Sequence, residues 1–435
     1  MTATATPPEA RATSRDAVRD EVRTWIADNW DPELTVAHWW ERLAESGWAM
    51  PHWSDDCYGR GLSRDHVGVV AEELAAAGAI GPPSGLGILL AGPTIVTHGT
   101  PEQHRRYLLP ILDGQEGWCQ LFSEPGAGSD LASLQCRAER DGDEWVINGQ
   151  KVWTSSAHMA DLGMLIARTD PDAPKHKGIT YFAIEMDQPG VEIRPLREMT
   201  GRALFNEVFF DDARVPDAGR IGALGEGWAV ANTTLANERA GLGSGGSGAA
   251  GGAAPGAKPG MLGKRAGDVA EANRKARERG GAAGSGGSRS TQMFVDLARE
   301  RGVSGDRRIR QRLAGLYVLT EIGRYTAMRS RAAKQAGKGP GPEANTAKLM
   351  MSRITRLSRD LGLAVLGADG MLHHKDAPLH GALQDMALFA PAVSIYGGSD
   401  EIQKNIIGER VLGLPKEPGP DKTTPFRELK VGTQS

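Results

Sequence analysis

The stretch that decides the class of this fold runs from Glu144 to Ser155, EWVINGQKVWTS. Its residues are apolar, aromatic and β-branched around a central Asn148-Gly149. Asn-Gly between two β-prone arms is the strongest short-range signal for a two-residue hairpin turn, so a hairpin is expected at Asn148-Gly149. Reading outward, Ile179–Met186 (ITYFAIEM) has the same texture, a Pro189-Gly190 turn follows, and VEIRPL occupies 191–196. Asn206–Phe210 continues the pattern until Pro216 stops it. Short strands at this spacing, with no helix between them, predict an antiparallel sheet or barrel over residues 118–228.

The flanks change period. Val18, Val22, Trp25 and Ile26, then Trp40, Leu43 and Trp48, recur at helical spacing, and His66–Ala77 is rich in helix formers. Thr100, Pro101 and Gln103 form a complete helix start. Beyond the sheet, Arg308–Ala336, Pro342–Leu363 and Ala382–Ile395 read as long helices joined by short turns, the pattern of a bundle. The expected organisation is a flexible 1–15, a helical domain over 16–117, a β domain over 118–228, a helical bundle over 229–415 and a tail over 416–435. An α–β–α order excludes βαβ alternation, and with it a Rossmann-type domain.

The 435 residues carry a net charge of −3, with 40% hydrophobic and 24% charged residues, as in soluble globular proteins. Near-neutral balance argues against a nucleic-acid-coating protein. Cys57, Cys119 and Cys136 form no CxxC pair and suit a reducing compartment. No apolar run reaches about 18 residues, and the N-terminus lacks a signal-peptide pattern; a cytoplasmic protein is expected. Glycine is in excess, at 57 residues, against a usual share of about 7%. Much of it lies in Gly241–Ser290. There GLGSGG (Gly241–Gly246) matches G-x-G-x-x-G, but it follows a helix-like run instead of a strand, so it reads as a linker and not a dinucleotide fingerprint. Within this insert, Lys264–Arg279 has the composition of a short basic helix.

Two motifs carry chemistry. In QLFSEPGAGSDLASL (Gln120–Leu134), Pro125, Gly126 and Gly128 make a small-residue turn whose backbone N–H groups can approach an anion such as a pyrophosphate. In Lys151-Val152-Trp153-Thr154-Ser155, an aromatic ring followed two positions later by a hydroxyl suits a flat heterocycle. His373, His374 and His380 have no Glu or Cys at metal spacing, so no metal site is expected.

Taken in order, SEPGAGSD (123–130), NGQKVWTS (148–155), FFDDARVP (209–216) and IQKNIIGERVLGLP (402–415) resemble the acyl-CoA dehydrogenases, over Val18 to Pro415 apart from the glycine-rich insert. The resemblance implies an α+β multidomain architecture: a helical N-terminal domain, a β-barrel middle domain and a C-terminal four-helix bundle. It implies FAD as cofactor, an acyl-CoA substrate oxidised to the 2-enoyl-CoA, and an electron-transfer flavoprotein as acceptor. Leu121, Phe122 and Ser123 would line the flavin. Gly128 and Ser129 would meet the FAD pyrophosphate, and Ser129 the substrate as well. Trp153 would flank the isoalloxazine, Thr154 and Ser155 would stand beside it, and Ser155 would bond near N5. Ser399 and Glu401 would lie by the adenosine half.

The base departs from the commonest family pattern. The C-terminal loop position that often holds glutamate is Gly397 here, which leaves only a backbone N–H to polarise the thioester carbonyl. Other branches place the glutamate on a C-domain helix, and TTLANERAGL puts Glu238 there with Arg239 beside it as a substrate contact. Leu235, Ala236 and Ala240 would raise its pKa by desolvation. The family's Gln-x-x-Gly-Gly segment, which touches FAD from a neighbouring subunit, keeps only Gly367 and Gly370 in AVLGADG. Its Arg-x-x-Phe-Gly segment leaves Arg299 and Arg301 as alternatives. A homo-oligomer or a heterotetramer is expected. The rival expectations are a partner-dependent, non-catalytic subunit and an oxygen-using flavoenzyme of the same fold.

Overall fold

Ser14, Thr35 and Thr100 each accept a hydrogen bond from the backbone N–H three residues ahead, and each starts a helix. The Thr100–Gln103 capping box is complete in both directions. The computed structural model describes residues 13–243, 260–279, 287–335, 343–416 and 422–430. Its first helices are α1 (Arg15–Asn29), α2 (Val36–Glu45), α3 (Val67–Ala76), α4 (Gly92–His98) and α5 (Pro101–Leu112). Val18, Val22 and Ile26, four residues apart, bury one stripe of α1. On α2 the indole N–H groups of Trp39 and Trp40 donate to the Ile80 and Gly81 carbonyls at 2.7 and 2.9 Å, so both rings are buried without an unpaired donor.

The middle of the chain forms an eight-stranded sheet: β1 (Trp118–Leu121), β2 (Arg137–Asp141), β3 (Glu144–Ser155), β4 (Leu162–Arg168), β5 (Ile179–Glu185), β6 (Val191–Leu196), β7 (Phe205–Pro216) and β8 (Arg220–Ile221). The order is β6-β7-β3-β2-β4-β5-β8, with β1 parallel to β4. β5 and β7 touch although three strands separate them in that path, so the sheet curls on itself. One face gathers Cys119, Ala138, Trp145, Leu165, Phe182 and Val208 into a common interior. The opposite face of β4 and β5 presents Leu162, Met164, Ile166, Ile179 and Tyr181 to the helical core of α1–α5. All seven residues of β4 are therefore buried, alternate ones in different cores.

The hairpin expected at Asn148-Gly149 is not there. Glu144–Ser155 is a single strand, and the pairing with β7 slips by a bulge between Ile147 and Gly149. Asn148 exchanges two side-chain hydrogen bonds with Asp212 across the bulge. Gly149 has φ +149°, and a Cβ there would lie 2.7 Å from Cys136 Cα, so the glycine permits strand contact and not a turn. The turn falls earlier, where Asp141 pairs with Glu144 around Gly142 at φ +65°. The two-residue loop is Gly142-Asp143, with glycine at the first central position, and it takes the hairpin turn in place of Asn148-Gly149.

After the sheet come α6 (Gly227–Gly243), α7 (Ala266–Arg279), α8 (Gly287–Glu300), α9 (Arg307–Gln335), α10 (Glu343–Leu366), α11 (Ala382–Val393) and α12 (Asp400–Arg410). Phe294, Leu316, Leu361 and Leu383 tie α8, α9, α10 and α11 into a third core. α6 packs instead on the first, through Val230, Ala231 and Leu235. Thr234 at its centre bonds Thr94 Oγ1 at 2.9 Å and Tyr181 OH at 3.3 Å, locking α6 to α4 and β5.

Part of the glycine-rich insert is also built in. Lys264 and Leu262 carbonyls accept from the N–H groups of Val36 and Ala37, while Ala266 and Gly267 donate to Leu34 and Pro32. Ala266 is fully buried and opens α7, so the expected basic helix forms and docks beside the N-terminus of α2. The linker expectation thus fails for 260–279; residues 244–259 and 280–286, including Ser244–Gly246 of the false fingerprint, lie outside the described residues.

Replacing Ala266 with Glu puts a charge into this junction. It should cost on the order of 1–3 kcal/mol, read as a lower melting temperature, and should open the chain near residue 260 to limited proteolysis.

Candidate active site

Glu124 and Ala127 exchange backbone hydrogen bonds at 3.0 Å in both directions, closing the Pro125-Gly126 turn. The turn is bolted from below. Lys151, fully buried on β3, donates from Nζ to Glu124 Oε1 at 2.8 Å and to the Phe122 carbonyl at 3.0 Å. The Glu124 carboxylate also accepts from the N–H groups of Gln135 and Cys136. The Val152 N–H donates to the Ser123 carbonyl at 2.9 Å. Arg168 closes the far side with bonds to the Ala132 and Lys175 carbonyls, and burial lowers its pKa to about 10. Burial opposes ionisation of Asp130, but hydrogen bonds from Lys175 and Ser133 hold its carboxyl below the usual range. Above this base Gly126, Gly128 and Ser129 are exposed, while Leu121 and Phe122 are buried in different cores.

Directly after Lys151 the strand breaks register again, between Lys151 and Thr154. Trp153 sits in that break at φ +61°, a strained conformation for a bulky residue, with its indole 57% exposed and Phe205 edge-on beside it. Thr154 Oγ1 is buried with no hydrogen-bond partner among the described residues, and Ser155 is nearly buried. His158, exposed, bonds Asn206 at 3.3 Å. The anion-suited turn and the exposed aromatic therefore share one scaffold, Lys151 and its partners.

Glu238 lies near the end of α6, one turn past Thr234. Its Oε2 accepts from Gln120 Nε2 of β1 at 3.5 Å. Burial pushes its pKa up, and the Gln120 hydrogen bond and the Arg239 charge partly oppose that. Of the neighbours expected to desolvate it, Leu235 packs on the first core and Ala236 is exposed; the side chain of Ala240 lies outside the described residues. Burial likewise lowers the Arg239 pKa, with Glu238 opposing and Arg410 assisting. Burial raises the Tyr396 hydroxyl, and the Glu238 charge adds to it.

In that loop Gly397 and Gly398 are both left-handed, at φ +64° and +83°. Gln403 Nε2 donates to the Gly397 carbonyl at 3.0 Å, while neither glycine's N–H makes a hydrogen bond among the described residues. Buried Asp400 anchors the loop, donating its backbone N–H to the Ser394 carbonyl and accepting from Arg356 at 3.0 Å. Ser399 caps α12, accepting from the Ile402 N–H, and Glu401 is exposed. Neither bonds to the loop or β3 groups among the described residues. Of the two arginines left open, Arg301 reaches the Gly367–Gly370 segment, pairing with Asp369 at 2.8 Å; Arg299 pairs with Asp296 on its own helix.

Family models for the acyl-CoA dehydrogenase N-terminal, middle and C-terminal domains match residues 4–115, 119–213 and 276–412. The chain belongs to the acyl-CoA dehydrogenase family. It is an oxidoreductase of that class, with the helical, β and helical parts in the family's order. Residues 214–275, with α6 and the docked segment, fall between the matched stretches. Among similar proteins, acyl-CoA dehydrogenase IpdE1 of Mycobacterium tuberculosis is 39% identical, over 92% of this chain and 97% of its own. Acyl-CoA dehydrogenase FadE34 of the same organism is 40% identical over 86% of this chain, but the match spans only 46% of its length. Among solved structures, the Tcur3481-Tcur3483 steroid ACAD matches at TM-score 0.67 and 28% identity, covering 93% of this chain and 98% of its own. The ChsE4-ChsE5 complex from M. tuberculosis matches at 0.62 and 28%, covering 96% and 100%. No helix among the described residues is long and apolar enough to cross a membrane.

Sequence reasoning missed Lys151, Glu124 and Gln120 as site-building residues. The available signal was polarity out of place: a lysine, a glutamate and an amide inside otherwise apolar strand edges. Lys151→Met, which strands the buried Glu124 carboxylate, should cost about 3–5 kcal/mol in denaturant unfolding. The double variant Lys151→Met/Glu124→Gln should recover part of that loss.

Proposed function

We propose that this acyl-CoA dehydrogenase uses FAD to oxidise the α,β bond of an acyl-CoA thioester to the trans-2-enoyl-CoA, with Glu238 as the base. The observation that carries this reading is a partly buried carboxylate, raised in pKa by desolvation and bonded to Gln120 of β1, the strand that leads into the Pro125-Gly126 turn.

The residues fit the cofactor. Trp153 presents an exposed, strained indole, Thr154 Oγ1 is buried without a partner, and the Pro125-Gly126 turn leaves Gly128 and Ser129 open. Ser123, Trp153, Thr154 and Ser155 would hold the isoalloxazine at the sheet rim, with Leu121 and Phe122, whose side chains are buried in the two cores, offering main chain only. Gly128 and Ser129 would take the pyrophosphate, and Ser399 and Glu401 the adenosine end. Bound FAD supplies the acceptor for the hydride leaving Cβ.

The chain's own groups do the rest. Glu238 removes the proton from Cα, and its raised pKa brings it closer to the pH of reaction. The Gly397 N–H, unclaimed by the fold, donates to the thioester carbonyl and stabilises the charge that builds on it. Arg239 meets the acyl-CoA beside the base, with Ser129 as a second contact. Because position 397 has no side chain, the thioester can carry bulk there. A branched or ring-bearing acyl group is the substrate class this favours, and the likeness to a steroid ACAD supports it. An electron-transfer flavoprotein would receive the electrons.

A second reading has its own observation. Arg301 is engaged by Asp369 of its own chain, which competes with any contact to a neighbouring subunit's cofactor. A heteromeric assembly, as in the Tcur3481-Tcur3483 and ChsE4-ChsE5 structures, is the oligomer this favours. In that case the chain purified alone holds less than one FAD per protomer and gains flavin when its partner is added.

Glu238→Gln should keep bound flavin and lose anaerobic flavin bleaching by acyl-CoA by roughly 10²–10⁴-fold. A base works ionised, so wild-type kcat/KM should fall as pH drops through a pKa above the usual glutamate value of about 4.3. Wild-type bleaching in Glu238→Gln would remove Glu238 from the mechanism.

A further inference from the structure

β1 alternates between two cores. Cys119 and Leu121 point into the interior of the sheet, while Trp118 and Phe122, on the other side of the chain, pack in the helical core. Gln120 stands between Trp118 and Phe122 in that second row, and its register partner on β4, Met164, is fully buried in the same core. An amide in an apolar row needs a hydrogen-bond partner to offset its desolvation. The Gln120 amide nitrogen has one, Glu238 Oε2 at 3.5 Å. α6 is fixed where the two meet: Thr234, one turn before Glu238, is bonded to Thr94 and Tyr181.

We propose that Gln120 is a positioning residue for the base, its amide N–H holding Glu238 Oε2 so that the second carboxylate oxygen is left to take the α-proton. This rests on Glu238 being the base. A glutamine suits the task in both protonation states. It donates from Nε2 to the carboxylate, and after proton transfer its Oε1 can accept from the acid O–H by a rotation of the amide. A lysine or arginine would instead favour the carboxylate so strongly that the base would be weakened.

The charged and titratable groups around Glu238 come from several elements. Arg239 is on its own helix, Tyr396 comes from the loop after α11, and Arg410 on α12 acts through Arg239. On α4 and β5, His98 and Tyr181 are bonded to Thr233 and Thr234, about a turn away. Gln120 does not titrate, so Gln120→Met changes what Glu238 Oε2 meets without adding or removing a charge.

The test is an infrared difference titration of the purified flavoprotein, with the Glu238 carboxylic C=O band assigned by its loss in Glu238→Gln. Gln120→Met, similar in volume and unable to donate, should raise the midpoint of that band by on the order of one pH unit. Gln120→Glu, which adds a like charge, should raise it further. A merely structural Gln120 would lower stability and leave the midpoint in place. An unchanged midpoint in Gln120→Met overturns the proposal, and if that variant does not fold, Gln120→Leu, equally unable to donate, takes its place. The two readings fail separately: bleaching that survives Glu238→Gln sinks the base assignment whatever the midpoint does, whereas a bleaching-dead Glu238→Gln with an unmoved Gln120→Met midpoint sinks only the role of Gln120.

Discussion

The ion pair between Lys151 and Glu124 is the constraint on which the site's geometry depends. Both groups are out of water, so neither tolerates losing the other. Lys151 additionally takes the Phe122 carbonyl, and Glu124 takes two backbone N–H groups beyond the turn. Five groups from three chain segments thus converge within one hydrogen-bonded cluster. Its effect is to fix a glycine-rich turn that has no regular secondary structure of its own at a set height over β3. A turn of small residues can approach an anion closely only if something else supplies its rigidity, and here a charge pair below the surface does so. The same lysine begins the register break that turns Trp153 outward, so the turn and the exposed indole are both set from one residue.

A second constraint positions the chemistry. Glu238 is carried by a helix that packs mainly on the first core, although it follows the sheet in sequence and precedes the bundle. Its attachment is polar and buried, through Thr94, Thr234 and Tyr181. Hydroxyls in a dry interface specify one axial position in a way that aliphatic contacts do not, because a shift of one residue would break both bonds that Thr234 makes across it. The backbone of Glu238 is therefore held by the scaffold, leaving Gln120 to meet its carboxylate.

How much of this was legible in the sequence depended on the kind of signal. Periodicity and composition located α3, α9, α10 and α11 close to their ends, and the Thr100 cap located the start of α5, because burial of one stripe and capping act locally. The motifs around Ser123–Asp130 and Trp153–Ser155 were recognisable because small residues and an aromatic-hydroxyl spacing are unusual in a strand region. Asn148-Gly149 misled because two glycine turn signals, Gly142 and Gly149, lay seven residues apart and only tertiary contact decides between them: Gly149 is needed for the approach of Cys136, leaving Gly142 to turn the chain. The docking of residues 260–279 was invisible because it is made by main-chain hydrogen bonds to Pro32–Ala37, which leave no side-chain pattern. That Arg301 and not Arg299 meets the Gly367–Gly370 segment likewise required Asp369, a partner far away in sequence.

β4 has a consequence for how the molecule comes together. A strand with one buried face can pair first and acquire its cover later; a strand whose alternate residues belong to two different interiors cannot. Leu162, Met164 and Ile166 stay wet until α1–α5 arrive, and Gly163, Leu165 and Ala167 until the sheet curls. Excised from the helices, the sheet would show a continuous apolar face to water, the kind of surface that drives self-association. The helical and β parts are thus separable by eye and in sequence matching, yet share a wall, and loss of either should melt the other in one cooperative step.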